Sequence, residues 1–566
     1  MYSACLAAIG LVSFLSTSTP AAPIETMQQR IERVREDLDN LEHFYNIDVS
    51  PHRSERLRKY YEDQLTDLRK APFESLDQEG KTDFLLLQNY LERNKRQLEL
   101  DAVKDQKTEA LLPFASIIVQ LCEDRQQMKP MEGEKAAKDI HEVEQQIADT
   151  RSKIESSKIK IDKSSAFRAA RTIDRLKSHL AEWFGFFKGY DPMFTWWVSE
   201  PYARVNKALD ELAPVIREKL VGVKPGDKDA IIGEPIGREG LMADLAAERI
   251  AYTPEELIEI GEKEYAWCEN EMKKASRELG YGDDWRKALE HVKTLHVEPG
   301  QQPKLIRDLA LEAINYVKDN DLVTVPPLAE ETWRMFMMSP ERQKVNPFFL
   351  GGDSIIVSFP TDTMDYEAKL MSMRGNNIHF ARATVHHELI PGHHLQGFMN
   401  ARYRPYRGLF GTPFWIEGWA LYWEMVLWDK GFPKTPENRI GMLFWRMHRC
   451  ARIIFSLKFH LGQMTPQECI DMLVEKVGHE RSTAEGEVRR SFAGDYPPLY
   501  QAAYMLGALQ IYSLRHELVD SGKMKEKDFH DRILHENQMP IETLRDLMEN
   551  RKLAPDLKPS WRFYHR

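Results

Sequence analysis

Cysteine is scarce in this 566-residue chain: Cys5, Cys122, Cys268, Cys450 and Cys469 are all there is, with no two at CxxC spacing. Five are too few for a disulfide scaffold, and the spacing excludes a thiolate zinc knuckle. Positive charge is not in excess either, since 78 Lys and Arg stand against 88 Asp and Glu, a net charge of −10. A nucleic-acid partner wants a basic face, so this balance argues against one. Beyond the first residues no apolar run approaches the ~18 residues of a membrane helix, and no membrane span is expected. There is no Asn-x-Ser/Thr sequon, no GxSxG serine-hydrolase elbow, no phosphate-cradling Gly-rich loop and no internal repeat.

What the chain does have is an ordinary globular balance, 42% hydrophobic and 29% charged. It is long enough for one large core or two. The opening "MYSACLAAIGLVSFLSTSTPAAP" carries an apolar run near Ala4 to Leu15 and small residues around Ala21-Ala22. That pattern resembles a secretory signal peptide over 1–22, cleaved near Ala22, so export to the periplasm or the exterior is expected. Cys5 sits in no clear lipobox.

Helical periodicity dominates the rest. "IETMQQRIERVREDLDNLEHF", "RSERLRKYYEDQLTDL" and "DFLLLQNYLERNKRQLEL" place apolar residues at three- and four-residue steps. The stretch 132–163 is highly charged, yet Ile140, Ile147, Ile154 and Ile161 recur every seven residues with Val143 among them. That is a narrow apolar seam on a long helix. The next helix, "AFRAARTIDRLKSHLAEWFGFF", is expected to fold back on it as a hairpin over 132–187, inside an N-terminal helical region 23–225. Loops in "GVKPGDKDAIIGEPIGREG" lead to a second helical region, 226–566, expected to carry the site. Its "TPEELIEIGEKEYAWCENEMKKASREL" opens on a Thr cap with Glu three residues on. One convincing strand candidate is "SIIVSFP", Ser354–Pro360, shortly before a cluster of histidines, where an edge strand can hold substrate. The fold class expected is mostly α-helical, with a small β-sheet beside the site-bearing helix.

The chemistry concentrates in "TVHHELIPGHHLQ", Thr384–Gln396. His-Glu opens the HExxH zinc-protease pattern, but Pro391 stands where the second histidine belongs. On a regular helix His393 lies ~600° of rotation beyond His387 and points ~120° away, while His394 returns to the same face ~10.5 Å further along. Neither serves without a distortion. Pro391-Gly392 is where one is expected, because proline removes a ladder hydrogen bond and glycine admits unusual dihedrals. The residues leave open a zinc site on a distorted helix and a Pro-terminated helix with surface histidines. They also leave open which of His393 and His394 ligates.

A third donor bears on that choice. "PFWIEGWALYWEMVLW" reads as a helix carrying Glu417, 24 residues after His393, and Glu424 on the same face. A carboxylate among Trp415, Trp419 and Trp423 is unfavourable unless paired or ligated, and a zinc ion would compensate Glu417. Glu424 reads either as a group orienting a ligand histidine or as a solvated helix residue. A catalytic zinc wants three protein ligands, an open position, and a Glu to take the proton of water. Attack on a carbonyl also builds negative charge on oxygen. Tyr504, on "YQAAYMLG", is the candidate donor to it, with Tyr496, Arg489 and Arg490 behind.

The pair "HHELIPGHHLQ" and "EGWALY" resembles the signature of the domain-of-unknown-function 885 family, which is itself similar to the gluzincin zinc peptidases. "PIGREGLMADL", "TPEELIEIGEKE", "YQAAYMLGALQIYSLR" and "QMPIETLRDLM" fit the same pattern, so the likeness covers most of the chain after the leader. The resemblance implies a multi-helix zinc-peptidase-like fold with one zinc ion on His387, His393 and Glu417. It implies Glu388 as general base and His394 as a neighbour just outside the ligand set. The expected function is a zinc metallopeptidase that cleaves short peptides. A zinc hydrolase of non-peptide amides would use the same residues. A binding or scaffold protein with a vestigial metal site is the alternative of another class, and the retained Glu388 argues against it. The His-Glu opening favours zinc over a 2-His-1-carboxylate iron centre. No group that captures a substrate terminus is identifiable, so exo- and endopeptidase stay undecided.

Overall fold

Several helices read from apolar periodicity begin behind a residue that caps them. Thr26 precedes Met27–Phe44, Ser50 precedes Pro51–Leu68 and Asp77 precedes Gln78–Gln106, each accepting a hydrogen bond from a first-turn N–H. The Thr-Glu box is formed ahead of Pro254–Glu278: Glu256 N donates to Thr253 Oγ1 at 3.2 Å, and Thr253 N donates to Glu256 Oε2 at 2.8 Å. Loss of such a cap typically lowers stability by about 1 kcal/mol. Thr253→Ala is therefore expected to lower the unfolding free energy by that amount, read as a lower denaturant midpoint at an unchanged m-value.

The computed structural model describes residues 25–565 apart from 228–229, 344–345, 347 and 493–495, so the leader expected over 1–22 lies outside the described residues. The fold is mostly α-helical with a two-stranded parallel sheet, β1 (Arg334–Met337) and β2 (Ser354–Val357), Arg334 lying opposite Ser354. Ile355 and Val357 pack against Ala381, Val385 and Leu389, which sets the sheet beside the helix Ile378–Glu388 as expected. The strand is shorter than Ser354–Pro360. At Ile356 its second edge is taken by an antiparallel bridge to Leu350, so no open edge is offered there. Among the described residues no helix is long and apolar enough to cross a membrane.

The two large cores do not divide at 225. Met27, Ile31, Leu57, Phe84 and Leu91 join one core with residues of 241–563, whereas the second core is built from Ile47 and residues of 111–221. The hairpin expected over 132–187 also takes another form. The helices Gly133–Glu155 and Lys163–Phe187 each pack along a third, Pro192–Ile216, rather than chiefly on each other. That third helix buries Phe194, Val198, Val205, Leu209, Leu212 and Ile216, an apolar stripe that competes for the isoleucine seam.

The site depends on a tight crossing of Pro413–Asp429 with Tyr500–Arg515. A Cβ on Gly507 would stand 2.1 Å from Phe414 O, and one on Gly418 would stand 2.7 Å from the Gly507 carbonyl carbon. Only glycine permits that approach. It lays the tyrosines of one helix against Glu417 of the other. The helix Pro436–His460 packs against both Ile378–Glu388 and Tyr500–Arg515, and is buried along nearly all of its length.

Candidate functional site

The helix Ile378–Glu388 stops at Glu388. Leu389 leaves helical space at φ −108° and ψ −108°, the Ile390–Pro391 peptide is cis, and a new helix, His393–Asn400, begins directly afterwards. The distortion expected at Pro391-Gly392 is thus a complete break. Gly392 N donates to His386 O at 3.0 Å, His394 N donates to Leu389 O at 3.0 Å, and Trp419 Nε1 donates to Pro391 O at 2.9 Å. A Cβ on Gly392 would lie 1.8 Å from His387 O. Side-chain absence, rather than a positive φ, is what this position requires.

The break cancels the misfit computed for a regular helix. The His387 and His393 rings stand 5.0 Å apart, nearly perpendicular. Glu417 Oε2 lies 3.1 Å from His393 Nε2 and 3.6 Å from His387 Nε2. Donors at ~2.0–2.1 Å from a tetrahedral ion are separated by roughly 3.3 Å, so these distances suit one divalent ion. Glu388 belongs to the same cluster: His387, Glu388 and His393 each bring a ligand atom within 4.8 Å of the others. All of them line one cavity of about 440 Å³.

Glu424 is buried, not solvated. It accepts from His387 Nδ1 at 2.8 Å, so each nitrogen of that ring faces a carboxylate from the same helix. Burial alone presses the His387 pKa down, but the bonds to Glu417 and Glu424 outweigh it and hold the ring at about 9. Burial presses His393 down as well, and Glu417 more than reverses it. Burial opposes the charge of Glu417, yet the two histidines keep its carboxyl well below the usual carboxylate range. For Glu388 burial outweighs the pull of His387 and His393 and lifts its pKa.

Of the residues read from sequence, His387, Glu388, His393 and Glu417 converge, Glu424 backs them, and Tyr504 stacks near-parallel to His387 at 6.2 Å. Arg490 Nη2 donates to the Tyr504 hydroxyl at 3.3 Å, and burial lifts that phenol to about 12. His394 points away from the cluster, its Nε2 2.9 Å from the Ala329 carbonyl oxygen. Two groups escape a sequence reading. Tyr500 donates to Glu417 Oε1 at 2.5 Å, one turn before Tyr504; that i,i+4 pairing was the available signal. Arg449 and Arg452, three apart on "RMHRCARIIF", reach the cavity from a helix whose apolar surroundings were the signal that those charges are buried.

The family model described as "Bacterial protein of unknown function (DUF885)" matches residues 46–548. No curated protein matches the chain. Among solved structures, a candidate lipoprotein of unknown function from Shewanella oneidensis superposes with a TM-score of 0.69 at 18% identity, covering 93% of this chain and 100% of that one. A candidate lipoprotein from Colwellia psychrerythraea superposes with a TM-score of 0.58 at 16% identity, covering 93% of this chain and 99% of its own. At these identities the likeness is one of fold.

Proposed function

This chain belongs to the DUF885 family, and from its site we propose that it is a zinc-dependent hydrolase, a gluzincin-like metallopeptidase acting on short peptides. One observation carries the reading: a two-histidine, one-carboxylate donor set whose His387 is held from behind by Glu424, beside a glutamate with no such duty. Carboxylate–histidine pairs of this kind orient metal ligands and set their tautomer. His387, His393 and Glu417 would hold the ion. Zinc supplies Lewis acidity, activating water and polarising a carbonyl.

The remaining work falls to this chain's own groups. Glu388 takes the proton from the attacking water and passes it to the leaving amine. The Tyr500 hydroxyl occupies Glu417 Oε1 and leaves Oε2 turned toward the histidines. Because Tyr504 accepts from Arg490, its own proton is free for a developing oxyanion. The cavity volume of about 440 Å³ favours small substrates. Export with cleavage near Ala22 belongs to the same proposal, supported by the apolar leader and by the description of both structural neighbours as candidate lipoproteins.

Metal analysis tests the ligand set. Purified protein is expected to hold about one zinc, lost in His393→Ala and kept in His394→Ala. Zinc retained in the first and lost in the second overturns the assignment. A parent chain without metal ends the hydrolase reading.

A further inference from the structure

The cavity holds a positive wall of which the hydrolase reading uses only the bond from Arg490 to Tyr504. Arg449 is 4% exposed and lines the cavity, yet it makes no hydrogen bond to any described residue. Its nearest carboxylate is Glu424 at 3.8 Å, an oxygen already taken by His387 Nδ1 at 2.8 Å. The guanidinium instead lies over two aromatic rings, Trp445 at 4.9 Å and Tyr504 at 5.3 Å. Arg490, partly buried on the same cavity, has the neutral Tyr504 hydroxyl as its hydrogen-bond acceptor, and its Nε has no partner. Arg452 differs, being neutralised by Glu487 through bonds of 2.7 and 3.0 Å.

Glu424 stands near Arg449 and Glu487 near Arg490, but neither carboxylate accepts a hydrogen bond from these guanidiniums, and buried donors left unbonded are unfavourable. Burial accordingly presses the Arg449 pKa below the usual arginine value, against the pull of Glu424. Two guanidiniums flanking one phenol, both facing the space beside the histidines, make a fork suited to an anion with paired oxygens. We infer that Arg449 and Arg490 receive the free C-terminal carboxylate of a short peptide, making this an exopeptidase that works from the carboxyl end. The assignment rests on the hydrolase reading for the cleavage, though not for the binding.

The distances limit where the cut falls. The His387 ring and the Arg449 guanidinium are 6.2 and 5.3 Å from the same Tyr504 ring. That puts the guanidinium within roughly three extended residues of His387, so the scissile bond lies within about three residues of the terminus.

The test compares trialanine, trialanine amide and alanyl-glutamyl-alanine amide, titrated calorimetrically into the zinc-loaded full chain carrying Glu388→Gln, so that peptide binds uncut. Trialanine is expected to bind about 10- to 100-fold more tightly than its amide, the range for charge-assisted hydrogen bonds. Arg449→Met should shrink that ratio several-fold while leaving amide affinity in place, which also reports an intact fold, and Arg490→Met should shrink the ratio as well. Arg449→Lys should restore part of it. Equal binding of acid and amide by the Glu388→Gln chain, or a ratio unmoved in both Met variants, overturns the subsite. A preference that follows the glutamyl side chain rather than the terminus overturns the exopeptidase assignment. Cleavage without a free-acid preference leaves the hydrolase reading standing and removes this one. A free-acid preference without cleavage by the wild-type chain removes the hydrolase reading and the exopeptidase assignment with it, and leaves only the carboxylate-binding subsite.

Discussion

Glu388→Gln is expected to reduce peptide hydrolysis by about 100- to 10,000-fold, the range for loss of a general base, with zinc content unchanged. The amide is isosteric with the carboxylate but cannot accept a proton at neutral pH. Glu388 makes no hydrogen bond to the histidines or to Glu424, so the substitution leaves the donor set in place. Burial raises the Glu388 pKa above the ordinary carboxylate value, which makes its carboxylate a stronger base. Metal analysis and a peptide-library digest read by mass spectrometry check both halves of the expectation. Full activity in the variant removes Glu388 from its role. Lost metal would show instead that Glu388, and not only Glu417, is needed to hold the ion.

Gly392→Ala is expected to be the most damaging glycine-to-alanine substitution among the described residues. The added Cβ would sit 1.8 Å from His387 O, 2.5 Å from its carbonyl carbon and 2.6 Å from His386 O. All three are backbone atoms of the helix end that bears the ligand, so no side chain can swing aside. Overpacking typically destabilises by about 1–3 kcal/mol, and a clash with fixed backbone puts this one at the upper end. Relief requires the turn to open, which moves His393 away from His387 and Glu417. A lowered thermal midpoint together with lost zinc is the expected result. Gly397→Ala, five residues on in the helix His393–Asn400, meets nothing within 4 Å and should keep both stability and zinc. If the two variants behave alike, the close turn is not what joins the two histidines.

Much of the local structure was legible in the residues. Caps at Thr26, Ser50, Asp77 and Thr253 mark helix starts, because a side-chain oxygen three residues from an unpaired N–H satisfies it within a single turn. The seam at Ile140, Val143, Ile147 and Ile154 is buried as its spacing requires. What that seam could not carry is the identity of its partner, since any apolar stripe of matching width competes for it. Pro192–Ile216 took the place expected of Lys163–Phe187.

The candidate site divides along the same line. Thr384–Gln396 by itself determined that a regular helix cannot bring a second histidine to His387, and that relief must come at Pro391-Gly392; both follow from helix geometry and from two residues' backbone chemistry. Only the tertiary structure decided that the helix breaks outright, that His393 turns inward while His394 meets Ala329, and that Glu424 stands behind His387. Tyr500 and Glu417 lie 83 residues apart in the chain and meet because two helices cross at Gly418 and Gly507. Capping and periodicity are settled within a few residues of chain. A cluster of donors is settled by which helix faces dock and in what register, and no short stretch of sequence contains that.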